Sequence, residues 1–332
     1  MIQETLIIAE AGANHDRNKS QAFKLIDEAV KAKVDVVKFQ TYSSETLYSK
    51  YTPNFAGYKD IPKLLKSLEL PKEWQKDLKL YCDDNGVEFM SSPFDEKAVD
   101  SLYNLGVKRL KIAGFECTDP RFVKFVASTQ LPLIISLGIG TNLDNVTEIY
   151  DWVKEVNDKP DITFLHCNNA YPTPYEDINL GQMNKIKKGG FKYGLSDHTE
   201  GILTPPIAVA LGAEVIEKHY TIDRTLSGPD HPFAIEPDEL KEMVKNIRLV
   251  ETMMGSKNSE YTNSEKDFSM ARRSVIVKGN VTKGDVITES NITTKRPLLN
   301  NSVSALEYYN ILGKKFSKDL SDDMILEISD VE

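Results

Sequence analysis

Residues 191–221 read FKYGLSDHTEGILTPPIAVALGAEVIEKHYT, and their pattern decides the fold. Two short apolar runs, Lys192 to Ser196 and Val215 to His219, flank a helix-period segment, the alternation expected of a parallel β/α/β unit. Each run ends in polar residues, Ser196-Asp197-His198 in one case and Glu217-Lys218-His219 in the other. In a parallel barrel such strand ends open into one shared mouth, where catalytic side chains gather.

Six earlier runs repeat the pattern: Leu6 to Ala11, Val34 to Gln40, Val87 to Ser91, Arg109 to Ala113, Leu133 to Leu137 and Thr163 to Cys167. Eight such units predict an α/β protein closed into a (β/α)8 TIM barrel in preference to an open doubly wound sheet. The helical segments fit. In KSQAFKLIDEAVKAK (19–33), Ala22, Phe23, Ile26, Ala29 and Val30 share one face. Two connections are long, Tyr42 to Pro71 and Tyr220 to Glu236, and are expected to shape the mouth or cover it.

Past a helix beginning near Pro237, GSKNSEYTNSEKDFS (255–269) is polar and lacks apolar period, as a linker does. The expected organisation is a barrel over 1–255, a linker over 256–270 and a small β-rich unit over 271–332. In that last unit short strands alternate with turns at Lys-Gly pairs.

Composition narrows the function classes. With 332 residues, 40% hydrophobic and 27% charged, the chain has material for a large core and a small second one. A net charge of −9 argues against nucleic acid or an anionic membrane as the main partner, because phosphate backbones select basic surfaces. The opening MIQETLIIAEAG has only a short apolar run and no basic flank, and no later run is long enough to span a bilayer. Cytoplasmic residence is the expectation. Cys82, Cys117 and Cys167 lack CxxC spacing and are expected to be buried small apolar groups.

The strand ends supply the candidate chemistry. In chain order they offer Glu10 with Asn14 and His15, Lys38 with Gln40, Ser91 with Ser92, Lys111 with Glu116, and Ser136; then His166 with Asn168, Asn169 and Tyr171. Lys38 and Lys111 end apolar runs where a charge is costly to bury. One such lysine reads as a snorkelling side chain or a partner of Glu10; two in equivalent positions point to anion binding. Ser92, Ser196 and Asn169 offer neutral donors for a phosphate or carboxylate. His198 and His219 leave successive strands, so their imidazoles can meet on one cation with positions left for water and substrate oxygens. His15 and His166 read better as hydrogen-bonded structural residues. Glu10 and Glu217 are the carboxylates best placed for proton transfer, with salt bridges to the strand lysines as the equal alternative.

The motifs IIAEAGANH (7–15), VVKFQTY (36–42), FMSSPFD (89–95), LKIAGFE (110–116), FLHCNNAYPTP (164–174), GLSDHTEG (194–201), AVALGAEVIEKHYT (208–221) and SGPDH (227–231) occur in this order. Together they resemble the sialic acid synthase family over nearly the whole chain. RSVIVKGNVTKGDVITESNITTKRP (273–297) resembles the antifreeze-like (SAF) domain that ends those enzymes.

The resemblance implies a phosphoenolpyruvate-dependent condensation with the open-chain aldehyde of an N-acyl hexosamine, releasing phosphate. It implies Mn2+ or Mg2+ on His198 and His219. It places Lys38, Ser92, Lys111, Asn169 and Ser196 on phosphoenolpyruvate, and Gln40, Tyr171 and Asp230 on the sugar. Glu10 and Glu217 match the family's active-site glutamates. It further implies a homodimer in which the small unit of one subunit covers the barrel of the other, bringing Arg296 to the sugar.

The chain also departs from the family pattern. Gly114 stands where many members have a serine, as KIGSGE, and Leu137 where a threonine is common, as STGM. Phe115 resembles the pseudaminic branch; SGPDH resembles the sialic and legionaminic branches. Two other readings are a condensation on a phosphorylated aldose and a catalytically silent sugar-binding or spore-coat-type protein. The first needs a second basic cluster that the strand ends lack. The second is opposed by retention of Lys38, Lys111, His198, Glu217 and His219.

Overall fold

The computed structural model describes residues 4–54, 59–255 and 261–332. The chain forms two compact units, Met1–Ser256 and Lys257–Glu332.

The first unit is a (β/α)8 barrel. Its strands are β1 (Leu6–Glu10), β2 (Val36–Thr41), β3 (Glu88–Pro93), β4 (Leu110–Ile112), β5 (Leu133–Leu137), β6 (Ile162–Cys167), β7 (Lys192–Asp197) and β8 (Val215–His219). They hydrogen-bond in the order β3-β2-β1-β8-β7-β6-β5-β4, every ladder parallel. β3 and β4 lie side by side and close the ring. The eight expected strands are present, and two of them, β5 and β8, have the expected bounds.

Strand alternation divides the buried apolar side chains between two places. Outward-facing residues such as Ile7, Val37, Phe39, Ile135, Phe164 and Ile216 join the helices in one large core. Inward-facing Ile8, Val36, Met90, Ile134, Leu165 and Val215 form a separate apolar layer across the barrel. The helix α1 (Lys19–Ala32) buries Ala22, Leu25, Ile26, Ala29 and Ala32; Phe23 and Val30, expected on that face, pack at its margin. Its start is fixed by Asn18, whose side chain accepts from the amides of Ser20 and Gln21.

The connection Tyr42 to Pro71, one of the two expected long loops, carries α2 (Ser44–Leu47) and α3 (Ile61–Leu68). The spacing Ile61, Leu64, Leu65, Leu68 is amphipathic and could have revealed α3. Further helices α4 (Gln75–Asp84), α5 (Glu96–Leu105), α6 (Pro120–Ala127), α7 (Leu143–Lys154), α8 (Met183–Lys188) and α9 (Thr204–Ala210) alternate with the strands. α10 (Pro237–Met254) begins at a capping box in which Glu236 and Glu239 satisfy each other's amides. The connection 220–236 is tied down: Ile235 donates to the His219 carbonyl, and Thr221 to that of Ile235. Among the described residues no helix is long and apolar enough to cross a membrane.

Residues 256–260 of the expected linker lie outside the described residues. From Tyr261 the second unit runs through turns and a 3-10 stretch, Lys266–Ala271. Its antiparallel pair, β9 (Ser274–Val277) and β10 (Ile292–Lys295), registers Val277 against Ile292. A small core forms from Val275, Val281, Ile287, Phe316 and Leu326. Gly279 and Gly284, the second residues of the Lys-Gly pairs, adopt positive φ of 79° and 91°, as their turns require.

Candidate active site

Two residues beyond the inward apolar layer the strands change character. Ile8 gives way to Glu10, Val36 to Lys38, Met90 to Ser92, Ile134 to Ser136, Leu165 to Cys167 and Val215 to Glu217, and all six of these successors are buried. Lys111 of β4 and Ser196 of β7 complete the ring. Lys38 Nζ lies 2.8 Å from Glu10 Oε2, 3.5 Å from Glu217 Oε1 and donates to Ser92 Oγ at 3.1 Å. Lys111 Nζ is 3.4 Å from the same Glu217 oxygen, to which Ser196 Oγ donates at 3.1 Å. Gln40 Nε2 donates to Glu10 Oε1 at 2.8 Å. The expected salt bridges therefore exist, and they coincide with the expected reactive cluster.

The two carboxyls differ. Burial raises Glu10 to about 7, outweighing the attraction of Lys38, with the Glu217 charge adding to the rise. Burial also opposes ionisation of Glu217, but Lys111 and Lys38 together overcome it and hold that carboxyl at about 2. The lysines differ too. Burial opposes both charges; Lys38, facing two glutamates, stays above the ordinary lysine value, whereas Lys111 falls below it. Glu10 is thus the member of the cluster that titrates near neutrality, and Glu217 is a fixed anion.

At one edge of this cluster the rings of His198 and His219 face each other with centroids 5.3 Å apart. His198 Nδ1 is 2.6 Å from the Asn168 carbonyl, which fixes the proton there and leaves Nε2 as the free lone pair. His219 Nδ1 is buried without a hydrogen-bond partner, 3.9 Å from Asp230 Oδ2. Burial lowers His198 to about 4 and takes His219 well below the ordinary value, so both rings are neutral, the form that ligates a metal. A Cβ on Gly12 would meet Asp230 Oδ2 at 2.6 Å and the His219 ring at 3.3 Å, so a side chain at 12 would push into this corner. Among the described residues no three His, Cys, Asp or Glu side chains converge on one point. The two neutral imidazoles, side by side, would leave a cation's remaining positions open to water and substrate oxygens.

Tyr171 packs against His198 at 4.3 Å between centroids, and Phe233 against His219 at 5.1 Å. Asp230 accepts from the Ala13 amide at 3.1 Å. Asn169, Tyr171, Ser196 and Gln40 line the same cleft as the lysines, glutamates and histidines. Arg296 lies in the second unit, one residue past β10.

Of the buried side-chain polar atoms without hydrogen-bond partners among the described residues, five belong to residues lining this cleft: Glu10 Oε2, Ser136 Oγ, Asn169 Oδ1, Glu217 Oε2 and His219 Nδ1. Glu10 Oε2 still touches the Lys38 ammonium, an ion contact without hydrogen-bond alignment. Each unpaired group costs about 1–3 kcal/mol, so concentrating them in one place marks a surface built to meet a polar ligand. The cleft itself holds only about 40 Å³. A larger cavity of about 350 Å³, lined by Asn142, His166, Asn168 and Lys185, lies beside it and shares Cys167, but the reactive groups converge in the smaller one.

Ser136, offered among the strand ends without a role, is 1% exposed and its hydroxyl is unpartnered. Phe233, an aromatic wall of the histidine pair, gives no sequence signal. His15 and His166 are structural as expected: Nδ1 of the first accepts from the Arg17 amide, and Nε2 of the second meets the Ile178 carbonyl at 2.6 Å. The three cysteines are free and buried.

Comparison with known proteins places these features in a lineage. Residues 25–259 match the model of the NeuB family and residues 272–332 that of the SAF domain. The chain is 38% identical to the N,N'-diacetyllegionaminic acid synthase of Campylobacter jejuni, covering 98% of this chain and 99% of that protein. It is 34% identical to a pseudaminic acid synthase of the same species, covering 99% and 97%. Among solved structures, the N-acetylneuraminic acid synthetase of Leptospira borgpetersenii in complex with citrate superposes with a TM-score of 0.73 at 34% identity, over 80% of this chain and 90% of that one.

Proposed function

The chain belongs to the NeuB family, and from that premise we propose that it is a nonulosonic acid synthase joining phosphoenolpyruvate to the open-chain aldehyde of an N-acyl hexosamine. The observation that carries this reading is the cluster of unpartnered buried polar atoms around two buried lysines. The two ammonium groups suit a small, highly charged anion, while the unpartnered atoms, mostly acceptors, suit donors such as sugar hydroxyls, or a cation. Lys38 and Lys111, with Ser92, Ser136, Asn169 and Ser196, hold the phosphate and carboxylate, while the lysines keep Glu217 as their counter-ion. Gln40, Tyr171 and Asp230 hold the acceptor, and Arg296 approaches it from the partner's small unit in a homodimer.

C3 of the enol attacks the aldehyde carbon, water adds at C2, and phosphate leaves with its bridging oxygen, giving a 2-keto acid longer by three carbons. The aldehyde oxygen gains one proton; the adding water loses one as it adds and its second as the C2 ketone forms, and the departing phosphate carries that second proton away. Glu10, titrating at about 7, suits both transfers: protonated, it donates to the oxygen formed by the first step; ionised, it receives the proton of the water in the second. Glu217 stays ionised and keeps both lysines in place. His198 and His219 would hold Mn2+ or Mg2+, which when bound supplies Lewis-acid polarisation of the aldehyde oxygen. Tyr171 and Phe233 shield that corner from water.

The test is phosphate release by the purified protein, with N-acetylmannosamine or a 2,4-diacetamido-trideoxyhexose as acceptor. Release should require phosphoenolpyruvate, an acceptor and a divalent cation together, and the faster acceptor identifies the branch. Release without any acceptor would contradict the condensation. Release unaffected by chelation and by replacing both histidines with alanine would remove the cation from the reading.

A further inference from the structure

Asn169 follows β6, and its carboxamide lies across two glycines from the neighbouring strand ends, Gly114 after β4 and Gly138 after β5. The two glycine backbones are in contact: a Cβ on Gly138 would stand 3.1 Å from Gly114 Cα, and one on Gly114 would stand 3.2 Å from Gly138 Cα. What matters more is the carboxamide. A Cβ on Gly138 would fall 1.9 Å from Asn169 Oδ1 and 2.9 Å from its Cγ, whereas one on Gly114 would clear the nearest Asn169 atoms at 3.1 Å. Neither glycine has the positive φ that would demand glycine for backbone reasons. Space for Asn169 is the constraint, and it is much tighter at 138.

The slot holds a group that gains little from being there. Asn169 Oδ1 is buried without a partner, and Nδ2 makes one long hydrogen bond, 3.4 Å, to the Tyr171 hydroxyl. A carboxamide with so little protein bonding is kept in place by shape. Ser136, also with an unpartnered hydroxyl, faces the cleft two residues before Gly138 on the same side of β5.

We infer that Gly138 is a positioning residue for phosphoenolpyruvate binding: its missing side chain is the slot that aims the Asn169 carboxamide into the reactive cleft, with Gly114 as the looser second wall. The substrate named here rests on the function proposed above; the packing claim does not. Gly138 acts only through Asn169, and this separates it from a glycine needed merely for folding.

A double-mutant cycle tests it. Gly138→Ala, Asn169→Ala, the double variant and Gly114→Ala are compared with wild type by thermal melting and by steady-state kinetics at varied phosphoenolpyruvate and varied acceptor. Gly138→Ala should lower kcat/KM for phosphoenolpyruvate by about 100-fold, as displacing a substrate contact does, and leave the acceptor KM near wild type. The double variant should be no slower than Asn169→Ala and should melt above Gly138→Ala, because removing the carboxamide reopens the space. Gly114→Ala should fall between wild type and Gly138→Ala. Kinetics of Gly138→Ala like wild type, or losses that simply add in the double variant, would overturn the inference. If wild type releases no phosphate from phosphoenolpyruvate, the functional reading fails while the melting cycle still decides the packing claim: a recovered melting temperature upholds it, and additive losses overturn it.

Discussion

Ile8, Val36, Met90, Ile134, Leu165 and Val215 form one layer of the barrel interior; Glu10, Lys38, Ser92, Ser136, Cys167 and Glu217, each two residues further along the same strand, form the next. Both layers are buried, and strand geometry treats them alike. Their energetics are opposite. The lower layer is hydrocarbon that satisfies itself by contact; the upper layer, completed by Lys111 and Ser196, carries two ammonium groups and two carboxyls and leaves polar atoms unpaired. The comparison teaches that the lower layer holds the ring together, and the upper layer draws on that stability to keep a costly, ligand-ready surface.

Substitutions should therefore separate by layer. The largest effect is expected in the upper one: Lys38→Met or Lys111→Met should cut kcat/KM for phosphoenolpyruvate by about 10²–10³-fold, the scale of losing one preorganised donor to developing charge. An initial-rate phosphate assay checks it, and wild-type turnover in either variant would break the comparison. In the lower layer, Leu165→Ala should cost about 2–5 kcal/mol in denaturant unfolding through the cavity it leaves, with KM for both substrates unchanged.

A subtler separation comes from pH. Because Glu10 is held at about 7 and must begin protonated, kcat/KM should be level below that pH and fall above it, tenfold per unit, as the proton is lost. Glu10→Gln should be slow and lack this limb; a profile that rises through pH 7, or a limb that survives the substitution, would sink the proton assignment. The smallest effect should be on stability when Lys111→Met and Glu217→Gln are combined. Removing a buried ion pair as a unit is often neutral or stabilising, so the melting temperature should stay at or above wild type while activity disappears. A sharp fall in melting temperature would mean that the upper layer also carries structural weight.

Much of this arrangement is legible in the sequence because both layers follow from strand period. An apolar run ending in Lys, Glu or His identifies a barrel strand and its mouth at once, as in VVKF and VIEKH. The pairing of Lys38 with both glutamates, and the opposite displacement of the two carboxyls, depend on distances between β1, β2, β4 and β8 that no single run encodes. Ser136 is visible as a strand-end residue but its ordinary chemistry gives it no role there; its unpartnered hydroxyl does. α3 was obscured by a flanking stretch rich in polar and aromatic residues, although IPKLLKSL carries a helical period. Phe233 and Gly138 matter through contacts made by other chain segments, Phe233 with His219 and Gly138 with Asn169, which sequence spacing cannot report.

The central claim, that the upper layer condenses phosphoenolpyruvate with an amino-sugar aldehyde by cleaving the C–O bond, is tested most directly with phosphoenolpyruvate labelled with 18O at the bridging oxygen. Mass spectrometry of the complete reaction should show the label in the released phosphate and a 2-keto acid heavier than the acceptor by the three added carbons and their oxygens. Label retained at C2 of the product, or labelled phosphate released with no sugar adduct, would contradict the account.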